Sequence, residues 1–84
     1  MARRIGVVGI VVEDRNKAAQ INNILSDFGD LVIGRMGVPY RDKELSVISL
    51  IVEGTTDQIG SLTGRLGNIK GVQVKSALSN KTIS

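Results

Sequence analysis

Apolar residues fall into four short runs and two spaced stripes. Ile5–Val12 (IGVVGIVV) is almost uninterrupted, rich in β-branched residues and of strand length, so it reads as a first strand. Asp14 is a good N-cap, and Arg15 and Asn16 open a helix behind it. Ala18, Ile21, Leu25 and Phe28 then recur at helical spacing with Ile24 beside them, until Gly29-Asp30 ends the helix. Leu31–Val38 reads as a second strand, Pro39–Glu44 as a polar turn and Leu45–Glu53 as a third strand. A second helix starts at Gly54–Thr56, with Asp57 favourable in its first turn and Ile59, Leu62, Leu66 and Ile69 as its apolar stripe. Gly67 suits a C-cap, Gly71 ends the connection, Val72–Leu78 is a fourth strand, and the tail Ser79–Ser84 is expected to fray.

The order βαββαβ predicts an α+β fold of the ferredoxin-like, split-βαβ kind, as a single domain over residues 1–84. Right-handed crossovers put both helices on one face of a four-stranded antiparallel sheet of order 4-1-3-2. Strands 1 and 3 are then central, and they barely alternate. In strand 1, Val8, Ile10 and Val12 oppose Ile5, Val7 and Val11; in strand 3, Ile48, Leu50 and Val52 oppose Leu45, Val47 and Ile51. Strands read as continuous apolar runs when both faces of a sheet are covered. The two helices cover one face only. The face carrying Ile5, Val7, Val11, Leu45, Val47 and Ile51 is therefore predicted to be an oligomer interface, in a dimer or a tetramer.

Gly60, Gly64 and Gly67 interrupt the second helix, where each interior glycine costs up to ~1 kcal/mol relative to alanine. At 100° per residue they gather opposite the apolar stripe, so they do not serve packing on the sheet. Either another helix or a ligand approaches this bare backbone, or the glycines are simply tolerated.

Composition narrows the chemistry. The chain has 84 residues, a length that buries only about 60% of its unfolded surface and gains from association. It contains no Cys and no His, which removes disulfides, thiolate nucleophiles, zinc–thiolate sites and the commonest general base. No Walker A or G-x-G-x-x-G sequence is present, and the serines lack a histidine partner. The carboxylate pairs Glu13/Asp14 and Asp42/Glu44 are explained by cap and turn chemistry, so no metal site, cofactor or enzymatic activity is expected. The charge is +3 overall, with Arg3 and Arg4 at the start, an acidic middle, and Arg65, Lys70, Lys75 and Lys81 with no acid after residue 57. The start MARRIGVVGIVV mimics a signal peptide, but it ends in Glu13-Asp14 without a small-residue cleavage site. No run approaches the ~20 apolar residues of a membrane span, and a cytoplasmic protein is expected.

RNA-binding βαββαβ domains stack bases on aromatic residues of the central strands, and strands 1 and 3 have none. Nucleic acid is therefore disfavoured, leaving only a weak contact through the basic C-terminal third. The segment Gly34–Asp42, GRMGVPYRD, concentrates Arg35, Tyr40 and Arg41. These three are candidates for anion binding or for a subunit rim, because Arg and Tyr serve both.

The stretches VVEDR (11–15), GRMGVPYRD (34–42), VISLIVEGTTDQIGSLTGRLG (47–67) and GVQVKS (71–76) together resemble the iron-only hydrogenase system regulators across nearly the whole chain. The resemblance implies an ACT-like ferredoxin fold, similar to the C-terminal domain of the nickel-responsive regulator, and a homo-oligomer. It carries over no metal site, since that regulator's His and Cys ligands have no counterparts here. ACT-type domains bind small molecules such as amino acids at subunit interfaces. By that resemblance the ligand is expected near Val12, Glu13, Asp14 and Arg15 and the glycines Gly60 and Gly64. The resulting expectation is a non-enzymatic regulatory module that senses a small effector or docks on a hydrogenase-system protein. A purely structural assembly protein is the alternative.

Overall fold

The computed structural model describes residues 2–83. Its two most apolar strands, β1 (Arg4–Val12) and β3 (Leu45–Gly54), pair antiparallel at the centre of the sheet. On either side lie β2 (Val32–Tyr40), against β3, and β4 (Val72–Leu78), against β1. The order β2-β3-β1-β4 is the expected 4-1-3-2 seen from the other edge. The crossovers are α1 (Ala18–Asp27) and α2 (Thr56–Gly67).

The core lies between this sheet and the two helices. Val8, Ile10, Val12, Leu50 and Val52 from the central strands meet Ile21, Ile24 and Leu25 of α1 and Ile59, Leu62 and Leu66 of α2. Ile10, Leu50, Leu62 and Leu66 are completely buried, so the expected stripes are the packed ones. Phe28 comes just after α1 and packs partly against this core, with the Arg65 guanidinium 5.4 Å above its ring.

Local chemistry fixes the element ends. Thr55 caps α2: its hydroxyl accepts from Gln58 N–H at 3.1 Å, and Gln58 Oε1 accepts from Thr55 N–H at 2.9 Å. Asp14 caps as expected, accepting from Asn16 N–H at 3.0 Å, but it opens a 3-10 turn (Arg15–Lys17), and α1 begins only after that turn. Gly67 is not the C-cap. The helix runs on into Asn68, whose N–H bonds back to Gly64 and Leu66, and buried Ile69 draws the chain inward. The left-handed turn is left to Gly71, at φ 84, where Glu13 N–H donates to its carbonyl at 2.8 Å.

Two segments differ from the periodicity. Pro39 and Tyr40, expected in a turn, extend β2 opposite Ser46 and Leu45. An edge strand has one side without ladder partners, so a proline is accommodated there. Beyond β4 the tail is tied back rather than loose: Arg3 and Ile83 exchange backbone hydrogen bonds of 3.0 and 2.7 Å, and Arg4 donates to the Ser79 and Asn80 carbonyls. The outermost residue of the expected fraying, Ser84, lies outside the described residues.

Candidate functional site

Strand pleat separates β1 and β3 into two faces, and the side away from the helices has no cover among the described residues. Val7 pairs with Ile51, Val11 with Val47, and Ile5 with Glu53 on that side. Val7 and Val47 are each 44% exposed, whereas Val8, one residue along from Val7, and its cross-strand partner Leu50, both on the opposite face, are fully buried. Leu45 and Val11 are half-buried. All six residues expected at an interface thus stand together on one surface.

β2 enlarges that surface beyond what periodicity alone revealed. Met36 pairs with Ser49, Val38 with Val47 and Tyr40 with Leu45, all on the uncovered side. Ile33 is the extra residue where the register shifts between Val32 and Gly34. Among the described residues, every exposed large hydrophobic side chain lies on this face except Ile83 and the unpaired bulge residue Ile33. The signal was present in the alternation of β2, but the irregularity at Ile33 and the proline at 39 masked it.

The face is framed by polar groups. Arg3 meets Glu53 in an ion pair of 3.1 Å and donates to the Glu53 carbonyl at 3.0 Å, closing one end. Gln73 and Lys75 on β4 oppose Val11 and Gly9 and form one edge. An apolar centre with a polar surround is the usual anatomy of a protein interface.

The other candidate residues divide. Glu13, Asp14 and Arg15 line a shallow polar hollow with Asn16 and Glu44, at the end of the sheet where Gly71 closes against Asp14. Val12 is buried at the foot of the same segment. Gly60 and Gly64 sit on the outer side of α2, with open space within 4 Å of where a Cβ would stand. Among the described residues, no side-chain hydrogen bond or ion pair joins them to the Val12–Arg15 segment. Arg35 and Tyr40 are on opposite faces: Arg35 pairs with Leu50 on the helix side, Tyr40 with Leu45 on the uncovered side. Arg35 Nη2 donates to Asn22 Oδ1 at 2.8 Å, while Arg41 begins the 3-10 turn Arg41–Lys43. These three do not form one anion site.

Among the described residues no group of three or more metal-ligating side chains converges, and no helix is long and apolar enough to cross a membrane.

A four-stranded antiparallel sheet with both crossover helices on one side and a bare apolar surface on the other defines a ferredoxin-like α+β domain. Within that class the chain belongs to the TM1266-like family, described as candidate regulators of iron-only hydrogenase systems, whose family profile matches residues 4–76. It is similar to the solved structure of the uncharacterized protein TM1266 from Thermotoga maritima, at 39% identity and a TM-score of 0.86, covering 90% of this chain and 96% of that one. The C-terminal domain of the MgtC protein from Mycobacterium tuberculosis superimposes with a TM-score of 0.68 at 11% identity, over 96% of this chain and 93% of that one. A formyltetrahydrofolate deformylase from Pseudomonas putida gives 0.66 at 11% identity, over 92% of this chain and 30% of the enzyme. These last two likenesses concern the fold alone. No curated protein sequence matches the chain significantly.

Proposed function

We propose that this protein is a non-enzymatic regulatory module of an iron-only hydrogenase system, working as a homo-oligomer assembled through the uncovered sheet face and responding to a small effector or a protein partner. Family membership supports the regulatory role. The observation that carries the oligomer is the apolar surface of β1, β2 and β3 around Val7, Val47 and Ile51. The occupant we assign to it is a second copy of the same chain.

Size and charge favour that occupant. Four strands at the usual spacing make a face about 19 Å across, and eight residues run about 27 Å along it, or roughly 500 Å² per protomer. Two such faces in contact hide roughly 1,000 Å², the lower bound for a specific interface. The centre carries no charge, so mating two copies buries none there, and Arg3 is already neutralised by Glu53. In a twofold arrangement Gln73 and Lys75 of β4 fall at the rim, where their stems are covered while their polar ends reach water. We place the module in the cytoplasm, a compartment whose reducing conditions a chain without cysteine does not feel.

Regulation then arises by linkage. An effector that binds one association state more tightly shifts the equilibrium by its differential affinity and no more. A thermal-shift screen of amino acids, other metabolites, anions and metals, with light scattering of each hit, tests this reading. At least one small compound is expected to raise the melting temperature and change the mass distribution. A screen in which nothing moves either quantity removes effector sensing and leaves an assembly protein.

A further inference from the structure

The helix-covered face of the sheet is not covered along its whole length. α1 has ten residues, about 15 Å of helix, whereas β2 has nine in extended form, about 30 Å. Beyond Ile21, the last large buried residue toward the start of α1, the helix offers only Ala18, and the outer part of the β2–β3 hairpin is left without a partner. A cavity of about 350 Å³ opens there, with Ile21, Ile48 and Pro39 among its apolar walls. That volume lies at the small end of the range for sites that hold small molecules, about 300–1,000 Å³.

Its charged groups are of one sign, although Arg15 also borders the hollow lined by Glu13, Asp14 and Glu44. Arg15 reaches the cavity from the 3-10 turn and Arg35 from β2, and no Asp or Glu lines it. Among the described residues Arg3 and Arg65 have carboxylate partners, Glu53 and Asp27, whereas Arg15 and Arg35, like Arg4 and Arg41, have none within ion-pair distance. Asn22 accepts one hydrogen bond from Arg35 Nη2, which orients the guanidinium and leaves its other donors available.

We propose that this cavity binds a small aliphatic monocarboxylate, its tail against Ile21 and Ile48 and its carboxylate held by Arg35 with Arg15. A guanidinium fork matches a carboxylate in two parallel hydrogen bonds, and the surrounding walls are apolar as the tail requires. The proposal deepens the effector-sensing part of the function above, yet it needs only one protomer. The strands that wall the cavity also present Met36, Val38 and Val47 on their reverse side, so the occupant touches the back of the association face.

Gly37 supplies a clean test. It lines the cavity opposite Ile48, it does not need a left-handed backbone, and a Cβ there would meet only Ile48 Cγ1 at 4.0 Å. Gly37→Val therefore fills the cavity while adding a strand-favouring residue. The experiment is an amide chemical-shift titration of the full chain with hexanoate, and with hexylamine and hexanol of equal length. Hexanoate is expected to saturate and to shift the amides of Ala18, Asn22, Gly37 and Ile48, with hexylamine and hexanol weaker. Arg35→Gln should weaken hexanoate by roughly tenfold or more, and Gly37→Val should abolish the saturable shifts. Arg41→Gln, outside the cavity, should leave the affinity unchanged. No saturation by hexanoate, equal binding of hexylamine, or full affinity in Arg35→Gln overturns the proposal. Should Gly37→Val fail to fold, Arg35→Gln decides alone. Hits of another class in the thermal screen together with no saturation by hexanoate remove the monocarboxylate and keep effector sensing; a monomeric mass removes the oligomer and leaves this site standing.

Discussion

Ile51→Lys is the perturbation that bears most directly on the uncovered face. Ile51 sits on β3 between Val7 on one neighbour and Gly34 on the other and is 39% exposed in the protomer. Burying a whole isoleucine side chain is worth about 1.5–3 kcal/mol, so hiding the remaining fraction contributes about 0.6–1.2 kcal/mol. A twofold interface contains the residue twice, which makes the apolar loss about 1–2 kcal/mol per dimer, or roughly five- to thirtyfold in dissociation constant. Lysine adds two ammonium groups to an otherwise uncharged patch, raising the total weakening to roughly a hundredfold or more. Ile51→Ala, which adds no charge, should show only the smaller part. The folded protomer loses at most about 1 kcal/mol in strand preference and part of the about 1–2 kcal/mol that the already buried portion of the side chain contributes, so folding of the variant is checked separately. Sedimentation velocity over a concentration series, with circular dichroism as the check on folding, reads both quantities. A folded Ile51→Lys variant that associates as tightly as the parent would refute the assignment of the interface to this face.

Other positions test the packing and the helix ends. Leu62→Ala removes a fully buried side chain of α2 and should lower unfolding stability by about 2–5 kcal/mol, a large part of the about 4–13 kcal/mol expected for a chain of this length; chemical denaturation measures it. Thr55→Ala breaks the reciprocal cap with Gln58 and should lose about 1–2 kcal/mol, and a double-mutant cycle with Gln58→Ala should be less than additive. Gly60→Ala with Gly64→Ala should raise stability by about 1–2 kcal/mol, since a Cβ at either meets open space. A rise in melting temperature with unchanged association is expected; loss of association instead shows that something docks on that helix face.

The fold was readable because its central strands carry the signal twice. β1 and β3 are apolar on both faces, which marks them as inner strands, and the two helical stripes supply the cover for one side only. The features hidden from sequence depend on tertiary context. Pro39 reads as a breaker, yet an edge strand tolerates it. Gly67 reads as a C-cap, yet the pull of Ile69 into the core carries the turn on to Gly71. Arg35 and Tyr40 look like neighbours in one motif, but five residues of extended strand place them on opposite faces. The cavity beside α1 was least legible of all, because it arises from a mismatch between helix and hairpin lengths rather than from any residue pattern.

The central question is whether this 9.0 kDa chain is complete alone. Light scattering at micromolar concentration in moderate salt answers it directly. The uncovered face predicts a mass of two or four chains that falls toward the single-chain value in Ile51→Lys. A parent protein that stays at the mass of one chain throughout the concentration range contradicts it.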